Sequence, residues 1–102
     1  MSERILQINF KFNVPRAEYE DAVSPLASEV ANVPGLRWKV WLMNETENEA
    51  GGIYLFDNET SVTAYLEGQI VAQVVEHPAL SDFSVKQFDV IESVTTITRG
   101  PV

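Results

Sequence analysis

Seven side chains in this sequence carry the donors, acceptors and π-faces that could handle a small planar molecule: Asn9, Lys11, Lys39, Trp41, Tyr54, Phe56 and Asp89. An amide, two amines, three aromatic rings and a carboxylate can stack a ring, hold an oxygen and move a proton. Other chemistries are closed or poorly served. The chain has no cysteine, which removes thiolate catalysis, disulfides and thiolate metal sites. With a single histidine, His77, one chain does not assemble a convincing haem or facial-triad iron site. No GxGxxG or P-loop occurs. The Glu45, Glu47 and Glu49 series lacks EF-hand spacing and reads as a solvated loop, not a calcium site.

Positioning these groups requires a sheet. The segment Pro34 to Asp57 holds both tryptophans and reads as a β-hairpin: a run from Leu36 to Met43, a polar connection, then a run from Gly52 to Phe56. Alternation splits the first run into Leu36, Trp38, Val40 and Leu42 on one face and Arg37, Lys39, Trp41 and Met43 on the other. In the return strand Ile53 and Leu55 oppose Tyr54 and Phe56. Arg4 to Val14 alternates as a first strand, with Leu6, Ile8, Phe10 and Phe12 against Gln7, Asn9 and Lys11. Phe83 to Ile91 supplies a fourth, with Phe88 and Val90 against Gln87 and Asp89.

Between strands, Tyr19, Ala22, Val23, Leu26, Ala27, Val30 and Ala31 recur at helical spacing. Pro25 falls inside that stripe and predicts a kink or two short helices near Ser24. Asp57-Asn58 can cap a further helix carrying Val62, Tyr65 and Leu66, with Gly68 at its end and another stripe from Ile70 to Val75 after it. The β-branched run Ser93 to Thr98 reads as a possible extended segment.

The order β-α-β-β-α-β predicts an α+β, ferredoxin-like domain over residues 1–102, with helices on one face of a four-stranded antiparallel sheet. The wholly apolar sets should lie beneath the helices. That leaves Asn9, Lys11, Lys39, Trp41, Tyr54, Phe56 and Asp89 on the open face, too much aromatic area to leave wet. A second copy packed sheet to sheet is the simplest cover, giving a homodimeric α/β barrel with a small-molecule cavity in its seam. A net charge of −8 and a pI near 4.4 disfavour nucleic acid and anionic membrane as partners. The first residues lack a signal-peptide pattern and no apolar run approaches a membrane span, so the expected location is cytoplasmic.

The strings PGLRWKVW, EAGGIYLF and AYLE, with a late FDV, resemble the YdhR-type monooxygenase family of the dimeric α/β barrel superfamily. The resemblance covers about Ile5 to Val90. It implies a ferredoxin-like protomer, a homodimer and an oxygenase. With the metal and cofactor motifs absent, such an oxygenase would use neither, its electron-rich substrate reacting with oxygen as an anion. Trp41, Tyr54 and Phe56 would then sandwich a ring, Asp89 or the more distant His77 would take a phenolic proton, and Asn9, Lys11 and Lys39 would stabilise the oxyanion. Plainer readings stand beside these. Trp41 and Tyr54 could be interface core, Lys39 and Asp89 a structural ion pair, His77 a helix-end group, and Gly51-Gly52 a close-packing site. A non-catalytic dimer that binds a small hydrophobic molecule would need the same cavity.

Overall fold

Strand β1 (Arg4–Phe12) alternates half-buried and buried residues along its length, and the rest of the fold is built on its buried row, Leu6, Ile8, Phe10 and Phe12. The computed structural model describes residues 3–102. After β1 come α1 (Arg16–Val23), α2 (Leu26–Ala31), β2 (Leu36–Asn44), β3 (Glu49–Phe56), α3 (Glu59–Leu66), α4 (Gln69–Glu76), β4 (Leu80–Asp89) and α5 (Glu92–Ile97). The four strands form one antiparallel sheet in the order β2-β3-β1-β4, the ferredoxin-like arrangement expected from the element order.

Local chemistry explains the boundaries. Pro25 has no N–H to continue α1 and separates it from α2. Asn58 caps α3, its Oδ1 accepting from the Ser61 amide at 2.9 Å. Gly35 takes a positive φ of 84° in the turn that launches β2. The tail differs from its expected extended form: residues Glu92–Ile97 are the short helix α5. The tail joins neither free edge of the sheet, β2 or β4, and local β-propensity alone did not hold it extended.

The sheet's two sides also differ from expectation, and the pairing register shows why. Leu6 lies opposite Tyr54, and Tyr54 lies opposite Lys39. Directly paired residues share a side, so Lys39, Trp41, Met43, Tyr54 and Phe56 face the helices together with Leu6 and Ile8. An irregularity between Leu36 and Trp38 leaves Arg37 as an extra residue. It turns Leu36 toward the helices while Trp38, Val40 and Leu42 face the open side with Gln7, Asn9 and Lys11. Gln87 and Asp89 fall in the row of Leu6 and Arg4, and Phe88 in the open row beside Ile5. Because both sides of the hairpin carry large apolar groups, alternation could not decide which one the helices cover.

Phe56 is fully buried, its ring 6.0 Å from Tyr54 and 5.6 Å from Tyr65. Phe56→Ala should lower unfolding free energy by about 3–5 kcal/mol, through lost burial and the cavity left behind. The check is the urea midpoint, with an unchanged slope showing that only stability moved.

Candidate functional site

Between the sheet and its helices lies a cavity of about 290 Å³. Its floor includes Ile8, Phe10, Lys39, Trp41 and Tyr54, and its roof includes Tyr19 from α1, Leu26 from α2, Tyr65 from α3, and Val71 and Val74 from α4. The lining is overwhelmingly apolar, which suits a planar hydrophobic ligand. A more open groove of about 310 Å³ adjoins it between α1 and β2, and Tyr19, Val23 and Trp41 border both spaces. Trp41, 39% exposed, stands at this boundary.

Lys39 is the charged group of β2 that turns into the cavity. Its Nζ lies 3.3 Å from the centroid of the Trp41 ring and 4.5 Å from that of Tyr54. The room for this comes from Gly52, paired opposite Trp41. A Cβ on Gly52 would stand 2.6 Å from Lys39 Cε and 3.4 Å from Tyr54 Cε1, so the missing side chain seats the lysine stem. None of the ion pairs among the described residues involves Lys39. Burial without a counter-charge pushes its amine down from 10.5 to about 7.

Tyr54 and Tyr65 line the same cavity, and their hydroxyls meet at 3.0 Å. Both phenols titrate above their ordinary value because they are buried, and Tyr54 is raised further by Tyr65. Tyr19 is pushed up to about 12, again by burial. These are neutral hydroxyls through the physiological range. Sequence patterning hid Tyr65 and Tyr19 among helical apolar stripes. Their one signal was a hydroxyl in an otherwise aliphatic row.

Lys39, Trp41 and Tyr54 therefore meet in one cavity inside a single chain, in place of the expected seam between two sheets. Phe56 lies deeper, as packing beside Tyr54 and Tyr65. Asn9 and Lys11 are on the other side of the sheet. There Gln7 donates to Asn9 at 3.1 Å, Asn9 donates to Glu49 at 3.0 Å, and Lys11 reaches the Glu47 carbonyl at 3.1 Å. Asp89 sits at the exposed edge and pairs with Arg4 at 2.5 Å, so the ion pair considered between Lys39 and Asp89 is absent. His77 caps the end of α4, with Nδ1 accepting from the Ala79 amide at 3.1 Å. Among the described residues no three His, Cys, Asp or Glu side chains cluster as metal ligands. No helix among them is long and apolar enough to cross a membrane.

The family model described as "Putative mono-oxygenase ydhR" matches residues 5–101. No curated protein sequence matches significantly. Among solved structures, SnoaB, a cofactor-independent oxygenase from Streptomyces nogalater, superposes with a TM-score of 0.73 at 18% identity, covering 90% of this chain and 96% of that one. A Nitrosomonas europaea protein of unknown function gives 0.74 at 18% identity, covering 89% and 91%. The haem-degrader MhuD from Mycobacterium tuberculosis gives 0.63 at 21%, covering 85% and 95%. At these identities the likeness is one of fold.

A buried amine leaves a thermodynamic trace. Below about pH 7 it is charged in both folded and unfolded chains, and only the folded one holds that charge in an apolar cavity. As pH rises from 7 toward 10.5 the unfolded chain still binds the proton that the folded chain has lost, so stability climbs. Lys39→Met should thus stabilise the fold by roughly 1–3 kcal/mol at pH 6, with the gain fading by pH 10.5. Denaturant midpoints of both proteins across that range provide the measurement, and a gain independent of pH would contradict the assignment.

Proposed function

We propose that this chain, which belongs to the ydhR mono-oxygenase family, oxygenates a small electron-rich phenol or hydroquinone in the cavity between sheet and helices, with Lys39 as the base. The observation that carries the reading is the Lys39 amine, buried beside the rings of Trp41 and Tyr54 and paired with no carboxylate among the described residues. An amine titrating near 7 is part neutral at physiological pH and can accept a phenolic proton. The resulting ammonium then pairs with the phenolate it has made, in a medium where that pairing is strong.

The phenolate supplies the electrons. It passes one to oxygen, the radical pair joins through a C–O bond at a free ring carbon, and loss of that carbon's proton with departure of hydroxide leaves a quinone. The net change is a phenol plus O2 to a quinone plus water. Trp41 and Tyr54 hold the ring, and the Tyr54–Tyr65 hydroxyl pair donates to oxygen atoms as charge develops on them. No step calls on a metal or prosthetic group. That SnoaB shares this fold and is a cofactor-independent oxygenase supports the reading.

Oxygen uptake with a panel of naphthols and hydroquinones should match quinone formation one to one and survive chelation. Its kcat/KM should rise with pH through about 7 and then level as Lys39 becomes neutral. Lys39→Met should lower turnover by about 10²-fold or more, and Lys39→Arg should not restore it, since a guanidinium keeps its proton. Full turnover in Lys39→Met would remove the base.

Homodimerisation belongs to the same reading, through the open side of the sheet. Val40 is 51% and Phe88 47% exposed there, around the Gln7-Asn9-Glu49 ladder. The neighbouring helix α5 presents Val94 and Ile97 to solvent, and the tail reaches β2 where the Trp38 indole donates to the Pro101 carbonyl at 2.8 Å. Val40→Asp should convert a dimer to a folded monomer in sedimentation at micromolar concentration, because it places an unpaired charge in the seam. A wild-type monomer, or a dimer unmoved by the change, would exclude this interface.

A further inference from the structure

The seat of Lys39 suits a second kind of chemistry that needs no oxygen. A primary amine becomes a carbonyl nucleophile when an apolar site keeps it neutral and leaves it unpaired. Lys39 meets both conditions. The chain's other lysines do not: Lys11 approaches Glu49 at 3.9 Å and is bonded to the Glu47 carbonyl, and Lys86 lies on the exposed outer strand β4. The cavity has room for a ring, and Trp41 and Tyr54 offer faces on which a flat ring would bring an exocyclic carbonyl to the amine. Gly52 leaves the space in which the aminobutyl stem lies.

We infer that Lys39 is an imine-forming lysine, which captures planar aromatic aldehydes and ketones reversibly inside the cavity. The amine nitrogen attacks the carbonyl carbon, forming a C–N bond, and the carbonyl oxygen takes a proton to give a carbinolamine. The C–O bond then breaks, water leaves, and loss of the nitrogen's remaining proton gives the imine. Aldehyde plus amine thus becomes imine plus water, with no oxidant or reductant. Tyr54 and Tyr65, hydroxyls held at 3.0 Å from each other, are the neutral proton donors and acceptors of the cavity. The remaining titratable groups on its lining are Tyr19, Glu18 and His77.

The test is anaerobic labelling of the full chain with benzaldehyde and cyanoborohydride at pH 7, read by intact mass and peptide mapping. A single benzyl adduct should form at Lys39, about tenfold or more faster than at Lys11, Lys86 or the terminal amine. Lys39→Met should lose that adduct and retain the slow background. Gly52→Ala, by crowding the stem, should slow labelling at Lys39 several-fold while leaving Lys11 and Lys86 unchanged; equal Lys39 labelling in that variant would remove Gly52 as a positioning residue. Adducts spread evenly over the amines, or Lys39 spared, would overturn the inference. Since oxygen is absent, failure here is distinguishable from failure of phenol oxygenation, which oxygen uptake reads independently.

Discussion

A lysine amine held in an apolar cavity and paired with no carboxylate is the constraint on which the site depends. A charged ammonium there loses hydration that two aromatic faces replace only in part, the cation–π attraction being about 2 kcal/mol when desolvated. The neutral form is therefore favoured, and the group titrates near 7. Three features create the condition together. Register brings Lys39 opposite Tyr54, the absent Gly52 side chain admits its stem, and Trp41 closes the outer flank. A carboxylate in contact with the amine would favour the ammonium and return it toward its ordinary range, leaving it protonated at neutral pH.

Alternation along β2 ties this site to the opposite side of the sheet. Lys39 and Trp41 turn inward while Trp38, Val40 and Leu42 turn outward, so cavity and open side are interleaved residue by residue on one edge strand. A slip of one residue would exchange the two sets and leave the amine in water. The irregularity at Arg37 fixes that register. The guanidinium is anchored to Glu3 and to Asp57, at 3.4 Å from the latter, beside the Gly35 carbonyl that accepts from the Asp57 amide at 2.8 Å.

Element types and order as far as β4 were legible in the sequence because strong signals agreed: clean alternation in β1, a helical stripe broken by Pro25, an Asn58 cap and a Pro34-Gly35 turn. Lys39 and Trp41 were legible as neighbours because they are two residues apart on one strand, and Tyr54 joins them because the pairing sets it opposite Lys39. Their side of the sheet was not. Trp38, Val40 and Leu42 form as apolar a row as Trp41 and Met43, and only tertiary pairing with β1 chooses between them. Asn9, Lys11 and Asp89 were grouped with the site through that one inversion. Polar pattern alone could not reveal that Asp89 meets Arg4, a contact 85 residues apart in sequence. The Tyr54–Tyr65 pair was hidden likewise, because helical periodicity records a tyrosine as one more apolar position.

The electrostatics of the whole chain sharpen what controls Lys39. A net charge of −8 should draw protons and raise an amine's affinity for them. Of the carboxylates nearest in sequence, Glu45 and Glu47 lie in the solvent-facing connection after β2 and Glu49 opens β3, bonded to Asn9 on the other side of the sheet; beyond about 8 Å at physiological ionic strength water and salt screen such charges. Burial meets no such screening, and it is the cause that sets the direction of the shift. The working variable is therefore water exclusion. The roof that provides it is jointed, α1 and α2 at Pro25 and α3 and α4 at Gly68, so the helices wrap a curved cavity that one straight helix could not close. Any motion that opens this roof hydrates the ammonium and restores its proton. The neutral fraction of Lys39 is then coupled to closure, and a ring filling the cavity, by expelling water, favours the unprotonated amine that can take its proton.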